Sequence, residues 1–317
     1  RFYIEDGHVF SASNKPIPNV HIQRMLPLYL PDGCDGELVA GSGAVALYHT
    51  TVDPDATAFQ VTSSIVTSDT NPIDNLEVKV FDYLDPVNYQ IMPYDVRITY
   101  IARWFKAHCQ AFISGEPVDH TGTKMTDDFT AMSPTGLLLQ ELRRQTTILT
   151  PVALRSATDV VKYLERCLAA GHEGIMLRDP KGGYKFGRSS STEGLLIKYK
   201  PLCDAEAIVV GFEEGMHNDN PQSLSETGRS TRSTSLLNKR PAGTLGNFQV
   251  ELQSDRSIRF SIGAGIGLTR KLRQTIWNNQ STYLGKLIKF SYLGIGTKTG
   301  GRPRMPKFLG FRDEVDM

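Results

Sequence analysis

Residues 171–200, GHEGIMLRDPKGGYKFGRSSSTEGLLIKYK, decide how the chain is read. Glu173 and Gly174 open a short apolar run (Ile175, Met176, Leu177), a glycine-rich polar loop follows, and a second apolar run ends in Lys198 and Lys200. The pattern predicts two strands joined by the loop. Side chains alternate faces along a strand, so Lys198 and Lys200 point to the same side. Two ammonium groups on one face near a carboxylate suit a phosphate and its metal. Lysines guarding a solvated strand edge have the same spacing, and from this stretch alone the two readings stand level.

Upstream, Ser156 and Asp159 resemble a capping box, and Val160, Val161, Leu164, Cys167 and Leu168 continue one helical face that delivers the chain into this stretch. Val96, Tyr100, Ile101, Trp104 and Phe105 recur at the helical period over 95–107, and a short helix is expected over 57–68. Residues 76–84, LEVKVFDYL, read as a strand in which Phe81 shares a face with polar groups, as a stacking platform or as core packing. In CDGELVAG, residues 34–41, Asp35 and Glu37 fall on one strand face; paired carboxylates there form a candidate polar site or an ordinary acidic strand end. At the start, runs at 2–4 and 8–10 flank Glu5-Asp6-Gly7, a hairpin signal, and Pro16 and Pro18 then enforce an extended or turn segment.

Downstream of Pro201 the texture changes. A strand at 204–212 is followed by residues 213–240, rich in Ser, Asn, Thr and Gly, which read as a mobile loop for want of apolar surface. Strands at 245–252, 258–262, 287–292 and 308–311, with one helix at 268–277, fit a small β-barrel of the oligonucleotide-binding (OB) type. From Lys286 to Arg312 there are seven basic side chains (Lys286, Lys289, Lys298, Arg302, Arg304, Lys307 and Arg312) and no acidic one, which points to a phosphate-facing surface.

The 317 residues suffice for two domains, and a net charge of +1 excludes a uniformly basic nucleic-acid binder without excluding a local basic face. Four dispersed cysteines with no C-x-x-C pair argue against a zinc ribbon or a disulfide framework. No apolar run approaches the roughly 18 residues that span a bilayer, and the opening residues lack a signal-peptide pattern, so a cytoplasmic protein without a membrane partner is expected.

Taken in order, DGE (35–37), VFDYL (80–84), EGIML (173–177) and LIKYKP (196–201) resemble the later motifs of the covalent nucleotidyltransferases, and most closely the ATP-dependent DNA ligases of the small bacteriophage type. The resemblance covers nearly the whole chain and extends to the terminal RPRMPKFLGFRDE. It implies an α+β fold: a nucleotidyltransferase (ATP-grasp-like) domain of antiparallel sheets with flanking helices over residues 1–202, then an OB-fold domain over 203–317. It implies that Phe81 stacks on adenine, that Glu37 hydrogen-bonds the ribose or orients nearby groups, and that Glu173 binds Mg²⁺ directly or through water. Lys198 and Lys200 would neutralise the α-phosphate of ATP, and Arg1 would contact the ribose or the nick phosphate. Lys286, Lys289, Lys298, Arg302, Arg304 and Lys307 would face DNA.

The family's first motif, Lys-x-Asp-Gly-x-Arg, supplies the lysine that takes AMP. Arg1 aligns with its last position, which would place the nucleophile before Arg1, whereas Ile4-Glu5-Asp6-Gly7 imitates the motif with isoleucine in place of the lysine. Ala12 stands where many relatives carry an arginine. The resemblance thus implies a monomeric enzyme that seals nicks in duplex DNA. An RNA ligase, a capping-type guanylyltransferase or a non-catalytic nucleic-acid-binding module are the alternatives.

Overall fold

The computed structural model describes residues 1–113, 140–294 and 301–312, apart from positions 55, 57, 74, 86, 89, 90, 171, 188, 227, 264 and 266. The chain divides into two compact units, Arg1–Tyr199 and Lys200–Met317.

In the first unit, β1 (Phe2–Glu5) and β2 (His8–Ser11) form the expected hairpin. Its turn residues Asp6 and Gly7 both have positive φ, 48° and 70°, the handedness that matches the twist of paired strands. With β3 (Cys34–Ala40), β4 (Leu76–Tyr83) and β5 (Thr146–Ile148) they make a five-stranded sheet of order β2-β1-β3-β4-β5, antiparallel except for β4 and β5. Three helices, α1 (Val20–Tyr29), α2 (Ser42–Thr51) and α3 (Ala58–Thr67), intervene, and α4 (Tyr94–Ile113) follows β4. Helix α1 carries a proline in its interior, Pro27, and its start is fixed by Asn19. The Asn19 Oδ1 accepts from the His21 and Ile22 amides, while its Nδ2 donates to the carbonyls of Ile65 and Asn71, both at 2.9 Å. One buried amide thereby caps α1 and ties it to the end of α3.

Helix α5 (Ala157–Ala169) starts at Ser156, whose side chain accepts from the Asp159 amide as the capping signal requires. Strands β6 (Ile175–Arg178) and β7 (Leu196–Tyr199) pair antiparallel as a separate two-stranded ribbon. Apolar side chains from the sheet and helices, among them Phe2, Ile22, Leu26, Val78, Val80 and Ile101, form the core of this unit.

In the second unit, β8 (Cys203–Asn218), β11 (Lys239–Leu252), β12 (Asp255–Ile262), β13 (Leu287–Tyr292) and β14 (Lys307–Phe311) form an antiparallel sheet of order β12-β11-β8-β13-β14. A parallel bridge between Gly263 and Lys307 joins the two edge strands, so the sheet closes on itself as a barrel. Phe248, Phe290, Phe308 and Ile276 of α6 (Arg270–Asn278) lie in its core. A short helix α7 (Gln280–Tyr283) leads into β13.

The composition of 213–240 predicts an irregular loop, and the structure corrects this. Strands β8 and β11 continue as a ladder through Asn218–Lys239, His217–Arg240 and Met216–Pro241, and β9 (Gln222–Leu224) pairs with β10 (Ser230–Arg232) beyond it. Asn220 is 3% exposed and donates to the carbonyls of Ser233 and Ser235. Backbone and amide hydrogen bonds order this polar segment where apolar burial is lacking.

Gly36 makes the tight approach of β1 to β3 possible. A Cβ there would meet the Lys79 carbonyl oxygen and the Phe2 ring, both at 2.6 Å, and the carbonyl belongs to a paired strand that cannot retreat. Gly36→Ala is therefore expected to destabilise the first unit by about 2 kcal/mol. A urea-unfolding midpoint equal to that of the wild type would refute this.

Candidate functional site

The site grows from a defect in β4. The register pairs Asp35 with Asp82 and Gly36 with Val80, so Phe81 is an extra residue, a β-bulge. Directly opposed residues share a face of the sheet. Val78 and Val80 point into the core, and strict alternation would send Asp82 after them. The bulge instead turns Asp82 to the face that carries Asp35, and Tyr83 then returns to the interior opposite Cys34.

Two carboxylates thus lie side by side, 1% and 2% exposed. Uncompensated, each buried charge would cost several kcal/mol. Three guanidiniums compensate them. Arg1 Nε donates to Asp35 at 2.8 Å and its Nη2 reaches the second carboxylate oxygen, while the Tyr184 hydroxyl donates to Asp35 at 2.8 Å. Arg97 donates to Asp82 through Nε at 2.9 Å and Nη2 at 3.3 Å, and Arg178 pairs with the same carboxylate. The bond to Asp35 and the attraction of that carboxylate hold Arg1 more firmly protonated than a free guanidinium. Burial, and then the neighbouring Asp35 charge, push the Tyr184 phenol well above its ordinary value, so it remains a donor.

The rings follow the cations. Arg178 lies 4.5 Å from the Tyr94 ring centroid and 5.8 Å from that of Phe81, and Arg1 lies 5.6 Å from Phe81, distances at which a guanidinium is attracted to a ring face. Residues 179–187 cover the cluster. The Gly182 carbonyl accepts from Arg97 Nη1 at 3.1 Å, Lys181 pairs with Asp95 at 2.7 Å, and the Pro180 carbonyl accepts from the Asp95 amide at 3.0 Å. The enclosed pocket has a volume of about 30 Å³, room for about one water. Two carboxylates against three guanidiniums leave one positive charge, which suits an anion.

Of the residues singled out in the sequence, Arg1 and Phe81 meet here. Lys198 lies exposed on β7 opposite Met176, and Leu196 lies opposite Arg178, so Lys198 shares a ribbon face with Arg178. Glu37 is exposed on the face of Asp35, opposite Lys79. Glu173 is exposed just ahead of β6, and Lys200 is the first residue of the second unit. No group of three or more His, Cys, Asp or Glu side chains placed to hold a metal occurs among the described residues.

In the second unit, the basic run does not stand alone. Lys289 pairs with Asp204 at 2.5 Å and Arg312 with Glu206 at 2.6 Å, both carboxylates coming from the adjacent β8. Lys286 lies 5.5 Å from the Tyr283 ring centroid, Lys307 is exposed on β14 and Arg302 and Arg304 are exposed ahead of it, while Lys298 falls outside the described residues.

Sequence reasoning assigned no role to Asp82, Arg97, Arg178, Tyr94 or Tyr184. Two of them carry a signal. Asp82 occupies an apolar position of the strand alternation, and Arg97 lies four residues before Ile101, on the apolar stripe of α4.

At the far end of the covering loop, Glu193 accepts from Lys185 and from the Ser190 amide, which hold its carboxyl down to about 2. Because the folded value is depressed, the contribution of this pair is complete above the ordinary glutamate range and is lost as pH falls through about 2. A carboxyl NMR titration should place Glu193 near 2 and return it toward the ordinary range in Lys185→Ala. An unshifted Glu193 in the wild type would refute the pairing.

Residues 238–312 match a family model described as the DNA ligase OB-like domain. A DNA ligase of Enterobacteria phage T3 is 36% identical over 77 residues, which cover 22% of this chain. The match spans only about a fifth of that relative, 21% of its length. Over 98% of the chain the fold matches a solved Lig E DNA ligase, covering 89% of that structure with a TM-score of 0.59 at 22% identity. A Chlorella virus DNA ligase-adenylate structure aligns with 99% of the chain and 88% of its own length at 25% identity, with a TM-score of 0.45 that carries no weight beyond this. The chain has the expected α+β fold, a first unit of largely antiparallel sheet and helices followed by an OB-like barrel, as in solved DNA ligases.

Proposed function

We propose that this chain, which has the fold of the DNA ligases and ends in a DNA ligase OB-like domain, acts in ATP-dependent sealing of nicks in duplex DNA, as a monomer. The single observation that carries the reading furthest is the match of residues 238–312 to that domain, which favours a DNA ligase over an RNA ligase or a capping-type enzyme. Residues 1–202 then form the adenylation domain and 203–317 the DNA-gripping barrel. No helix among the described residues is long and apolar enough to cross a membrane.

The chemistry on this reading is three phosphoryl transfers, the first two at the α-phosphorus of ATP and the third at the 5′-phosphorus of the nick. A lysine amine preceding Arg1 displaces pyrophosphate from ATP. The adenylyl group passes to the 5′-phosphate at the nick, and the 3′-hydroxyl then displaces AMP. One cationic clamp can serve every step, because the two phosphorus atoms that react are bridged by a single oxygen in the DNA-adenylate and the charge to be neutralised stays on adjacent phosphates.

The residues fit these roles chemically. Phe81 offers a ring beside Arg1 and Arg178 at the edge of a site with excess positive charge. Lys198 stands on the face of Arg178. Arg1 lines the pocket beside Phe81 with its side chain 44% exposed, free enough of its surroundings to swing aside as a nucleotide enters. Glu37, on the face of Asp35, would bond the ribose. An exposed carboxylate such as Glu173 suits Mg²⁺, which keeps most of its waters and takes one or two carboxylates together with substrate phosphates. Bound there, the ion would neutralise phosphate charge. Lys200 would join Lys198 at the phosphate, and Lys286, Lys289, Lys298, Arg302, Arg304 and Lys307 would contact DNA, with Lys289 exchanging Asp204 for a backbone phosphate.

Two experiments test the reading. With radiolabelled ATP and magnesium, a protein extended upstream to include Lys-x-Asp-Gly should form a covalent AMP adduct and the chain beginning at Arg1 should form none; adduct formation by the latter would overturn the placement of the nucleophile. Lys198→Ala and Lys200→Ala should each slow sealing of a pre-adenylated nick by about 10²–10³-fold. Near-normal rates in both variants would return the lysines to a surface role.

A further inference from the structure

Among the described residues Arg97 is the largest fully buried side chain, 1% exposed, and it lies on none of the resembling motifs. Its guanidinium joins Asp82 at the end of β4 and the Met92 carbonyl ahead of α4 to the Gly182 carbonyl, 85 residues beyond Arg97 along the chain in the loop between β6 and β7. Through Asp82 it also reaches β6, since the same carboxylate binds Arg178 there. Asp82 Oδ1 takes Arg97 Nε and the Tyr83 amide, and Oδ2 takes Arg97 Nη2 and Arg178 Nη1. Arg97 also lies 5.6 Å from the Tyr184 ring centroid, under the residue that binds Asp35.

A planar fork is needed for this task. A lysine ammonium at position 97 could meet Asp82, but it lacks the fixed geometry that serves one carboxylate and two carbonyls at once. Arg97 lines the pocket, but at 1% exposure and bonded to Asp82, Met92 and Gly182 it has little surface with which to touch a ligand. The groups it holds can: Arg178, 18% exposed, on the ribbon face that also presents Lys198, and the loop that roofs the pocket.

We propose that Arg97 is a positioning residue, which locks the loop 179–187 and Arg178 against Phe81 and so pre-forms the anion-binding side of the pocket. This rests on the nucleotide reading only for the identity of the anion.

The test compares the wild type with Arg97→Lys, which keeps the charge, and with the double variant Asp82→Asn/Arg97→Met, which removes the buried charges together and so avoids an orphaned carboxylate. Hydrogen exchange followed by mass spectrometry should show peptides from 179–187 exchanging at least tenfold faster in both variants, with peptides from β3 and β4 unchanged. A residue that contributes stability alone would raise exchange throughout the unit. ATP affinity, measured by calorimetry, should fall at least tenfold in both. Unchanged exchange in the loop, exchange raised equally everywhere, wild-type ATP affinity in a folded variant, or failure of both variants to fold would each overturn the proposal. If the wild type binds no ATP, the nucleotide reading fails, and the exchange pattern alone decides the role of Arg97.

Discussion

Two aspartates buried side by side on neighbouring strands are the constraint from which the first unit follows. Like charges opposed across a ladder repel, and burial removes the water that would screen them. Asp35 and Asp82 are tolerable only because Arg1, Arg97 and Arg178 arrive from the start of the chain, from α4 and from β6. Neutralising the pair therefore brings three distant segments to one place. The bulge at Phe81 is the local cause, since without it Asp82 would face the apolar core, away from Asp35.

The same constraint explains how the ribbon β6–β7 is held. It is not hydrogen-bonded into the five-stranded sheet. Its joints to the rest of the unit include Arg178 with Asp82, Tyr184 with Asp35, Gly182 with Arg97, and Lys181 and Pro180 with Asp95. Polar joints can be exchanged for other polar partners at modest net cost, whereas interlocked apolar side chains cannot. A phosphate that competes for Arg1, the more exposed of the two outer guanidiniums, would thus displace one polar joint while those held through Arg97 stay in place.

The strands and their pairing were legible because alternation and turn chemistry act locally. The Asp6-Gly7 hairpin, β4, the Ser156 cap and the barrel strands around 245–252, 287–292 and 308–311 all carried their signals within a few residues. Helix α1 was not legible, since Pro27 within HIQRMLPLY and the prolines ahead of it argue against a helix, and what fixes it is the contact of Asn19 with residues 65 and 71. The ladder within 213–240 was missed for a related reason, because composition counts apolar surface and that segment is ordered by hydrogen bonds. Of the site, Phe81 and Arg1 were found through resemblance, while Asp82 and Arg97 were visible as charges on apolar stripes and were not followed up.

Charge shows why a whole-chain figure misleads. The net charge of +1 suggests a surface without preference for anions. Within the first unit, however, three guanidiniums gather on two buried carboxylates, and one unit of excess positive charge stands at the edge of the cluster, where Arg1 is 44% exposed. In the second unit the reverse occurs. A run with no acidic residue in sequence gains Asp204 and Glu206 from the adjoining strand, so Lys289 and Arg312 are already partnered. Contact with a polyanion there would exchange one set of ion pairs for another and yield less than the count of cations implies. The concentrated charge lies where the sequence showed it least, under the bulge at Phe81.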